Sequence, residues 1–113
     1  MKIIVLPKNN NDNQVKDFLE YELTATECLE VLEKMEGYEK FTLLDLIKTE
    51  KMEKIEGKLY ELRVKIPKLH LRFFGKLFRE ELVLVYVFKK KSNKIPNREI
   101  ENARRKAELL DYN

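Results

Sequence analysis

Cysteine and histidine are nearly absent from the sequence, with one residue of each among 113. Cys28 has no second cysteine with which to form an internal disulfide, and one cysteine with one histidine is too few ligands for a zinc site. Cys28 also falls on the predicted buried side of a helix, which favours an inert core thiol over a catalytic nucleophile. We therefore expect neither a zinc site nor a cysteine hydrolase.

Long apolar runs are also missing. No run approaches the roughly 20 residues that a helix needs to cross a bilayer. The N-terminal segment MKIIVLP is too short for the apolar region of a signal peptide, and no small-residue cleavage site follows it. These absences predict a cytoplasmic protein with no membrane partner.

The chain is short and strongly charged. A length of 113 residues leaves room for one core, so residues 1–113 are predicted to form a single domain. Apolar residues make up 43% of the sequence, which is enough to build that core, and charged residues make up 38%, which is too many for a membrane-spanning segment.

The charge is unevenly distributed along the chain. Residues 1–57 hold 8 lysines against 13 acidic residues, a net charge of −5, whereas residues 58–113 hold 15 basic and 7 acidic residues, a net charge of +8. A basic half on a small domain is typical of a protein whose partner carries a phosphate backbone. Solubility alone can also produce lopsided charge, so the pattern favours a nucleic-acid partner without requiring one.

The first half of the sequence predicts a strand and then two helices. Residues 2–6 are β-branched and end at a proline, which indicates a short strand. Apolar residues at helical spacing follow to about Glu22, from a helix start near Asp12 or Asn13.

The second helix is marked by a capping box, in which Thr24 and Glu27 each satisfy a backbone N–H of the opening turn, and Gly37 marks its end. Residues 38–57 show no clear periodicity, and we expect a short helical turn and then a connection. The predicted buried stripe of the second helix consists of Ala25, Cys28, Leu29, Leu32 and Met35.

From residue 58 the period of the apolar residues changes from about 3.6 to about 2. This predicts strands near 58–66, 69–78 and 81–89, joined as antiparallel hairpins, with the third strand central because both of its faces are apolar. A last helix begins near Pro96 with a narrow apolar stripe. The predicted fold class is α+β: a small twisted antiparallel sheet of about four strands, with two N-terminal helices packed on one face and a C-terminal helix.

Alternation along these strands predicts a cationic face. An ordinary solvated face mixes acidic and basic residues, because cross-strand ion pairs relieve the repulsion between like charges. On this face only one acidic residue, Glu61, accompanies the basic residues. The pattern favours an anion supplied from outside, and the ring of Phe74 offers a surface for an unstacked RNA base. The alternative to an RNA-binding face is an ordinary solvated face, and the alternative to a substrate contact for His70 is a structural role. The residues predicted on this face are Glu61, Arg63, Lys65, His70, Arg72, Phe74 and Lys76, with Lys89, Lys90 and Lys91 at its edge.

Four segments of the second half occur in a recognisable order. They are Leu59–Arg63 opening a strand, Arg72–Phe74 in the next strand, Val87–Lys90 ending the third, and a helix with the pattern P-x-x-E-I-x-x-A-x-R from Pro96. In this order and spacing they resemble toxins of the RelE/ParE superfamily from bacterial type II toxin–antitoxin pairs, most closely the HigB-type, phage-associated branch.

The resemblance implies a RelE-like fold and an mRNA interferase that cuts mRNA in the ribosomal A site without a metal or other cofactor. In that chemistry the ribose 2′-hydroxyl attacks the adjacent phosphate and leaves a 2′,3′-cyclic phosphate and a 5′-hydroxyl. The implied partners are the ribosome with its mRNA and a cognate antitoxin, often a helix-turn-helix (HigA-like) protein.

The resemblance also implies a set of site residues. Arg63 and Arg72 would hold the scissile phosphate, and a lysine at the end of the third strand would stabilise it or protonate the leaving group. Either Glu61 or His70 would act as base. The implied catalytic residues are Arg63, Arg72, Lys89, Lys90, His70 and Glu61, and the implied RNA-binding residues are Lys65, Phe74, Lys76, Lys91, Lys94 and Arg98.

Two other functions fit the same residues. One is the gyrase-inhibiting side of the superfamily, in which the cations bind protein or DNA. The other is an RNA-binding or interaction module without chemistry.

Overall fold

The computed structural model describes residues 1–7, 14–92 and 94–110. Within these ranges the strands form one open, mixed sheet in the order β1-β5-β4-β3-β2. β1 is parallel to β5, and every other neighbouring pair is antiparallel. The strands are β1 (Lys2–Ile4), β2 (Met52–Glu56), β3 (Leu59–Ile66), β4 (Leu69–Phe78) and β5 (Glu81–Lys89).

The predicted bounds of β3, β4 and β5 are confirmed to within one residue. A two-residue turn joins each of these strands to the next. The prediction of an all-antiparallel sheet of about four strands is wrong in two respects: β1 is parallel, and a fifth strand exists. That strand, β2, lies where the sequence predicted a connection, because three of its five residues are charged and its two apolar residues do not alternate. It pairs with β3 and buries Met52, which is 1% exposed.

Four helical segments accompany the sheet in the described ranges. The predicted start of the first, near Asp12 or Asn13, lies outside these ranges. None of the described helices has the length and apolarity needed to span a membrane. They are α1 (Gln14–Asp17), which continues as a π-helical segment over Phe18–Glu22, α2 (Ala25–Tyr38), α3 (Leu43–Lys48) and α4 (Asn97–Leu109).

The predicted capping box of α2 is confirmed. The backbone N–H of Glu27 donates to Oγ1 of Thr24 at 3.1 Å, and the N–H of Thr24 donates to Oε1 of Glu27 at 2.9 Å. Gly37 does not end the helix, which continues to Tyr38, because this glycine keeps helical backbone geometry.

The predicted buried stripe of α2 is partly wrong. Val31 and Met35 are buried against the sheet, whereas Leu29 is 57% and Leu32 is 43% exposed. The orientation of the helix follows from its last turn, where the hydroxyl of Tyr38 donates to the backbone carbonyl of Arg63 at 2.9 Å. That contact places the 31–35–38 side of the helix on the sheet.

Apolar clusters cover both faces of the sheet. On the first face, the N-terminal helices pack on inward residues of β3, β4 and β5. On the second face, α4 packs its small residues Ala103 and Ala107 on Leu59, Phe74 and Val85. The C-terminal helix therefore covers part of the face that the sequence predicted to be cationic.

Polar contacts hold α4 in place. The guanidinium of Arg104 donates to Oε1 of Glu56 on β2 at 2.6 Å, and the hydroxyl of Tyr86 on β5 donates to Oε1 of Glu99 at 3.1 Å. The helix thus spans the second face from one strand edge toward β5 and leaves the end near the β3–β4 hairpin uncovered.

Candidate functional site

Two arginines lie side by side on the uncovered part of the second face. Arg63 of β3 and Arg72 of β4 are direct cross-strand partners, so both side chains point to the same side of the sheet. Alternation in the sequence predicted this placement. The side chain of Arg63 is 30% exposed and that of Arg72 is 12% exposed.

The carboxylate of Glu61 lies between these two guanidinium groups. Nε of Arg63 donates to Oε1 of Glu61 at 2.7 Å, and Nε of Arg72 lies 3.9 Å from Oε2. The Glu61 side chain has no exposed surface, and in the described part of the chain Oε2 has no hydrogen-bond partner. A buried carboxylate oxygen without a hydrogen-bond donor lowers the free energy of unfolding, so Oε2 of Glu61 destabilises the folded state locally.

The burial of Glu61 differs from the exposed acid that the sequence predicted. Its cross-strand neighbour is the buried ring of Phe74, and its carboxylate accepts a hydrogen bond from Nε of Arg63. Alternation predicted the face correctly, but it carries no information on what lies above that face.

Arg63 is also tied to the edge strand. Its Nη2 lies 2.9 Å from Oε2 of Glu53, and its Nη1 donates to the backbone carbonyl of Glu50 at 3.0 Å. The expectation of cations without acidic partners is therefore wrong for Arg63, because the unforeseen strand β2 brings Glu53 beside Glu61 in the sheet.

Burial is the largest influence on the pKa of the Arg72 guanidinium. Loss of water lowers the pKa of its guanidinium, the carboxylate of Glu61 raises it, and the charge of Arg63 lowers it further. A guanidinium remains charged at neutral pH even so. Arg72 is thus a cation that is partly desolvated before any ligand arrives.

The predicted exposure of Phe74 is wrong. This ring has no exposed surface, because α4 covers it and two aromatic rings of β5 pack beside it. Its centroid lies 5.9 Å from that of Phe88 and 6.5 Å from that of Tyr86, both in stacked geometry. Phe74 therefore offers no surface to an RNA base in this structure.

A second row of basic residues lies next to the arginines. Lys65 and His70 are direct cross-strand partners on the same face as Arg63 and Arg72. The backbone N–H of Lys90 donates to the carbonyl of His70 at 2.8 Å, and alternation along β5 gives Lys90 the same face as Phe88. Lys65 and His70 are exposed, and Lys90 is half-buried.

Lys89 is not part of this face. It pairs with Leu71, an inward residue of β4, and so points to the side of the N-terminal helices. Of the two lysines that the sequence could not separate, only Lys90 lies on the arginine face.

The remaining predicted RNA-binding residues are dispersed. Lys76 lies at the far end of the second face, where its ammonium donates to the carbonyl of Ala107 at 3.3 Å, so α4 engages it. Lys91 and Lys94 are exposed beyond β5, and Arg98 is exposed in the first turn of α4. The structure does not bring these four side chains together with the arginine pair.

The two residues with metal-ligand chemistry that occur once each are far apart in the fold. Cys28 packs with the first-face cluster and His70 lies on the second face, so the sheet separates them. Among residues 1–7, 14–92 and 94–110, no group of three or more His, Cys, Asp or Glu side chains could hold a metal ion.

The chain was compared with family models and with curated proteins, and a family model matches it. No curated protein matches the chain at a significant level. The model of the family described as Phage derived protein Gp49-like (DUF891) matches residues 21–108, a range that contains β2 to β5 and nearly all of α4, and with them every site residue above. This family is associated with RelE-like and toxin-like proteins. With more than half of its length matched, the chain belongs to the Phage derived protein Gp49-like family.

Proposed function

We propose that this protein is the toxin of a type II toxin–antitoxin pair, of the HigB type, and that it acts as a metal-independent, ribosome-dependent mRNA endoribonuclease. Membership of a family associated with toxin-like proteins supports the first part. The observation that carries the second part is the pair of guanidinium groups of Arg63 and Arg72 around the buried carboxylate of Glu61. The partners proposed with this function are the ribosome with its mRNA and a helix-turn-helix, HigA-like antitoxin.

The arginine pair suits a reaction in which negative charge accumulates on phosphorus-bound oxygens. A guanidinium binds a phosphate through two donors at once. Cations that are already placed and partly desolvated stabilise the charge of the transition state without having to reorganise. Arg72, whose side chain is 12% exposed, meets this requirement, and Arg63 can join it on the same phosphate.

Arg63 would exchange partners when the phosphate binds. Its contact with Glu53 is at the surface, since the Glu53 side chain is 58% exposed, and such an ion pair contributes only about 0.2–1 kcal/mol. A phosphate bound by both arginines replaces that contact. The buried contact with Glu61 stays, and it keeps the guanidinium in place during the exchange.

Glu61 has the role of a positioning residue in this proposal. Its carboxylate has no exposed surface and cannot touch a ribose in this conformation, but it holds both guanidinium groups on one side of the sheet. Removal of the carboxylate would leave two adjacent cations to repel each other.

His70 is left as the group that accepts the proton. It is exposed, it lies on the same strand and face as Arg72, and it is two residues away from it. The 2′-hydroxyl loses its proton to the imidazole as its oxygen bonds to phosphorus, and the bond from phosphorus to the 5′-oxygen breaks. A proton from water reaches that leaving oxygen, which gives a 2′,3′-cyclic phosphate and a 5′-hydroxyl, and Lys90 adds positive charge that stabilises the bound phosphates.

The test is primer extension on cellular mRNA after brief induction of the protein. Wild type should produce new 5′ ends within codons, Arg72→Ala should abolish them, and Arg72→Lys should restore only a small part, because lysine keeps the charge without the two-donor geometry. Arg105→Ala is the matched control, since Arg105 is exposed on α4 and, among the described residues, donates a hydrogen bond to Asn102 alone. It should cut as wild type does.

Folding of each variant is checked by circular dichroism and thermal melting. Full cleavage by a folded Arg72→Ala protein would overturn the assignment of Arg72. Uncut mRNA with the wild type would overturn the nuclease itself, and DNA damage signalling in the same cells would then identify gyrase as the target.

A second candidate function is an RNA-binding module without chemistry. The ion pairing of Arg63 with Glu53 and Glu61 favours it, because paired arginines are common in purely structural networks. It predicts that purified protein binds RNA while ribosome-bound mRNA stays intact.

A further inference from the structure

The row formed by Lys65, His70 and Lys90, here called the lysine row, differs in its charge balance from the neighbouring arginine row, which consists of Arg63 and Arg72. In the arginine row, Glu61 and Glu53 offset Arg63 and Arg72. In the described part of the chain no acidic side chain forms an ion pair with any member of the neighbouring row. Lys65 and Lys90 thus place two positive charges on one face with no acidic partner, so an external anion can bind there without displacing a carboxylate.

We propose that Lys65 and Lys90 form a second phosphate subsite, which binds the phosphate next to the one held by the arginines. The inference rests on the proposed function and adds to it a path for the RNA. The chain would run along β3 and β4, from the arginine row to the lysine row.

The spacing of the two rows supports this path. Lys65 follows Arg63 by two residues, and His70 precedes Arg72 by two, so the rows are about 6.8 Å apart along the strands. Successive phosphates of an extended single strand have a comparable separation. A phosphate on the arginine row therefore brings its neighbour over the lysine row.

The geometry across the strands is also suitable. Lys65 and Lys90 stand on either side of His70, two strand spacings or roughly 9.5 Å apart at the backbone. Each carries a long flexible stem, so both ammonium groups can reach one phosphate above the middle strand. The bound nucleotide is then presented to the imidazole of His70.

The subsite would contribute affinity without sequence preference. Lysine ammonium groups contact phosphate and not base edges, and Phe74, the ring that the sequence predicted to stack a base, is buried under α4. Each neutralised phosphate contact on a single strand contributes about 0.7 to the slope of log affinity against log salt concentration. Because both lysines contact the same phosphate, the subsite should account for a slope of about 0.7.

The test is fluorescence anisotropy with a short 2′-O-methyl RNA of mixed sequence, across a series of salt concentrations, on the purified full chain. This probe cannot be cleaved because it lacks the attacking hydroxyl. Lys65→Gln/Lys90→Gln should lower the salt slope by about 0.7 and weaken binding about ten-fold at low salt. Lys34→Gln/Lys40→Gln removes the same charge from exposed positions on and just after α2, and it should bind as wild type does.

The possible outcomes separate the subsite from the nuclease. An unchanged slope and affinity in the Lys65/Lys90 variant overturns the subsite, whatever the cleavage assay gives. An equal loss in the Lys34/Lys40 control also overturns it, because the effect is then one of net charge. A lower slope in the Lys65/Lys90 variant alone supports the subsite, and uncut mRNA in the cellular assay overturns the nuclease independently.

Discussion

The carboxylate of Glu53 lies 2.9 Å from Nη2 of Arg63, where it occupies the donor that a phosphate would use. The contact links an edge strand that the sequence did not predict to the residue on which the proposed chemistry depends. An acid in this position competes with any anionic ligand, so its removal should favour binding.

Glu53→Gln is expected to raise affinity for RNA. The exposed ion pair contributes about 0.2–1 kcal/mol, and its loss should strengthen binding of the 2′-O-methyl RNA up to about five-fold. Glu56→Gln is the matched control, because Glu56 is on the same strand but its partner is Arg104 on α4. Anisotropy titrations measure both. Equal gains in the two variants would contradict direct competition at Arg63.

Glu61→Ala is expected to destabilise the fold strongly. The carboxylate is fully buried between two guanidinium groups, and removal of one member of a buried charge network costs about 3–5 kcal/mol. Glu53→Ala removes an exposed partner of the same arginine and should cost less than about 1 kcal/mol. Urea denaturation gives both values, and similar losses would show that Glu61 does not hold the arginines.

Docking of α4 should weaken in acid. A hydrogen bond from Arg104 holds the pKa of the Glu56 carboxyl below its ordinary value of 4.5. A group whose pKa is lowered in the folded state stabilises that state above its unfolded pKa, and the contribution is lost as pH falls through the folded pKa. Wild type should therefore melt at a higher temperature than Glu56→Gln at neutral pH. This difference in melting temperature should shrink as the pH falls below about 4.5.

Thermal melting across a pH series measures this difference. Glu36→Gln, an equivalent change at an exposed position of α2, corrects for the general effect of net charge. A difference between wild type and Glu56→Gln that stays constant down to the lowest pH would contradict a role of the Glu56 carboxylate in holding α4.

Two glycine substitutions should have opposite signs. A Cβ at Gly75 would lie 2.6 Å from Cγ of Leu82, which is fully buried and cannot move aside, so Gly75→Ala should cost about 1–3 kcal/mol. A Cβ at Gly37, within α2, meets nothing within 4 Å, so Gly37→Ala should gain about 0.5–1 kcal/mol. Urea denaturation of the two variants is the measurement, and a stable Gly75→Ala protein would mean that Leu82 can repack.

Much of the sheet could be read from local patterns. The change of period at residue 58 gave the bounds of β3, β4 and β5, and alternation put Arg63 and Arg72 on one face. The capping box at Thr24 gave the start of α2. These features depend on neighbours within a few residues, so the sequence carries them directly.

The partners of the site residues could not be read in the same way. β2 is too charged for its period to be visible, yet its pairing with β3 brings Glu53 to Arg63. The position of α4 buries Phe74, which alternation alone would leave open to a base. A one-residue difference at the end of β5 turns Lys89 away from the site and Lys90 toward it.

The sequence by itself therefore determined which residues form strands and which side of the sheet each side chain takes, because both follow from the geometry of an extended chain. Only the tertiary structure decided which charges are neutralised and which remain open. In the described part of the chain no acidic side chain forms an ion pair with Lys65, His70 or Lys90. Which charges are paired depends on contacts between segments far apart in the chain, such as those of Glu53 with Arg63 and of α4 with Phe74.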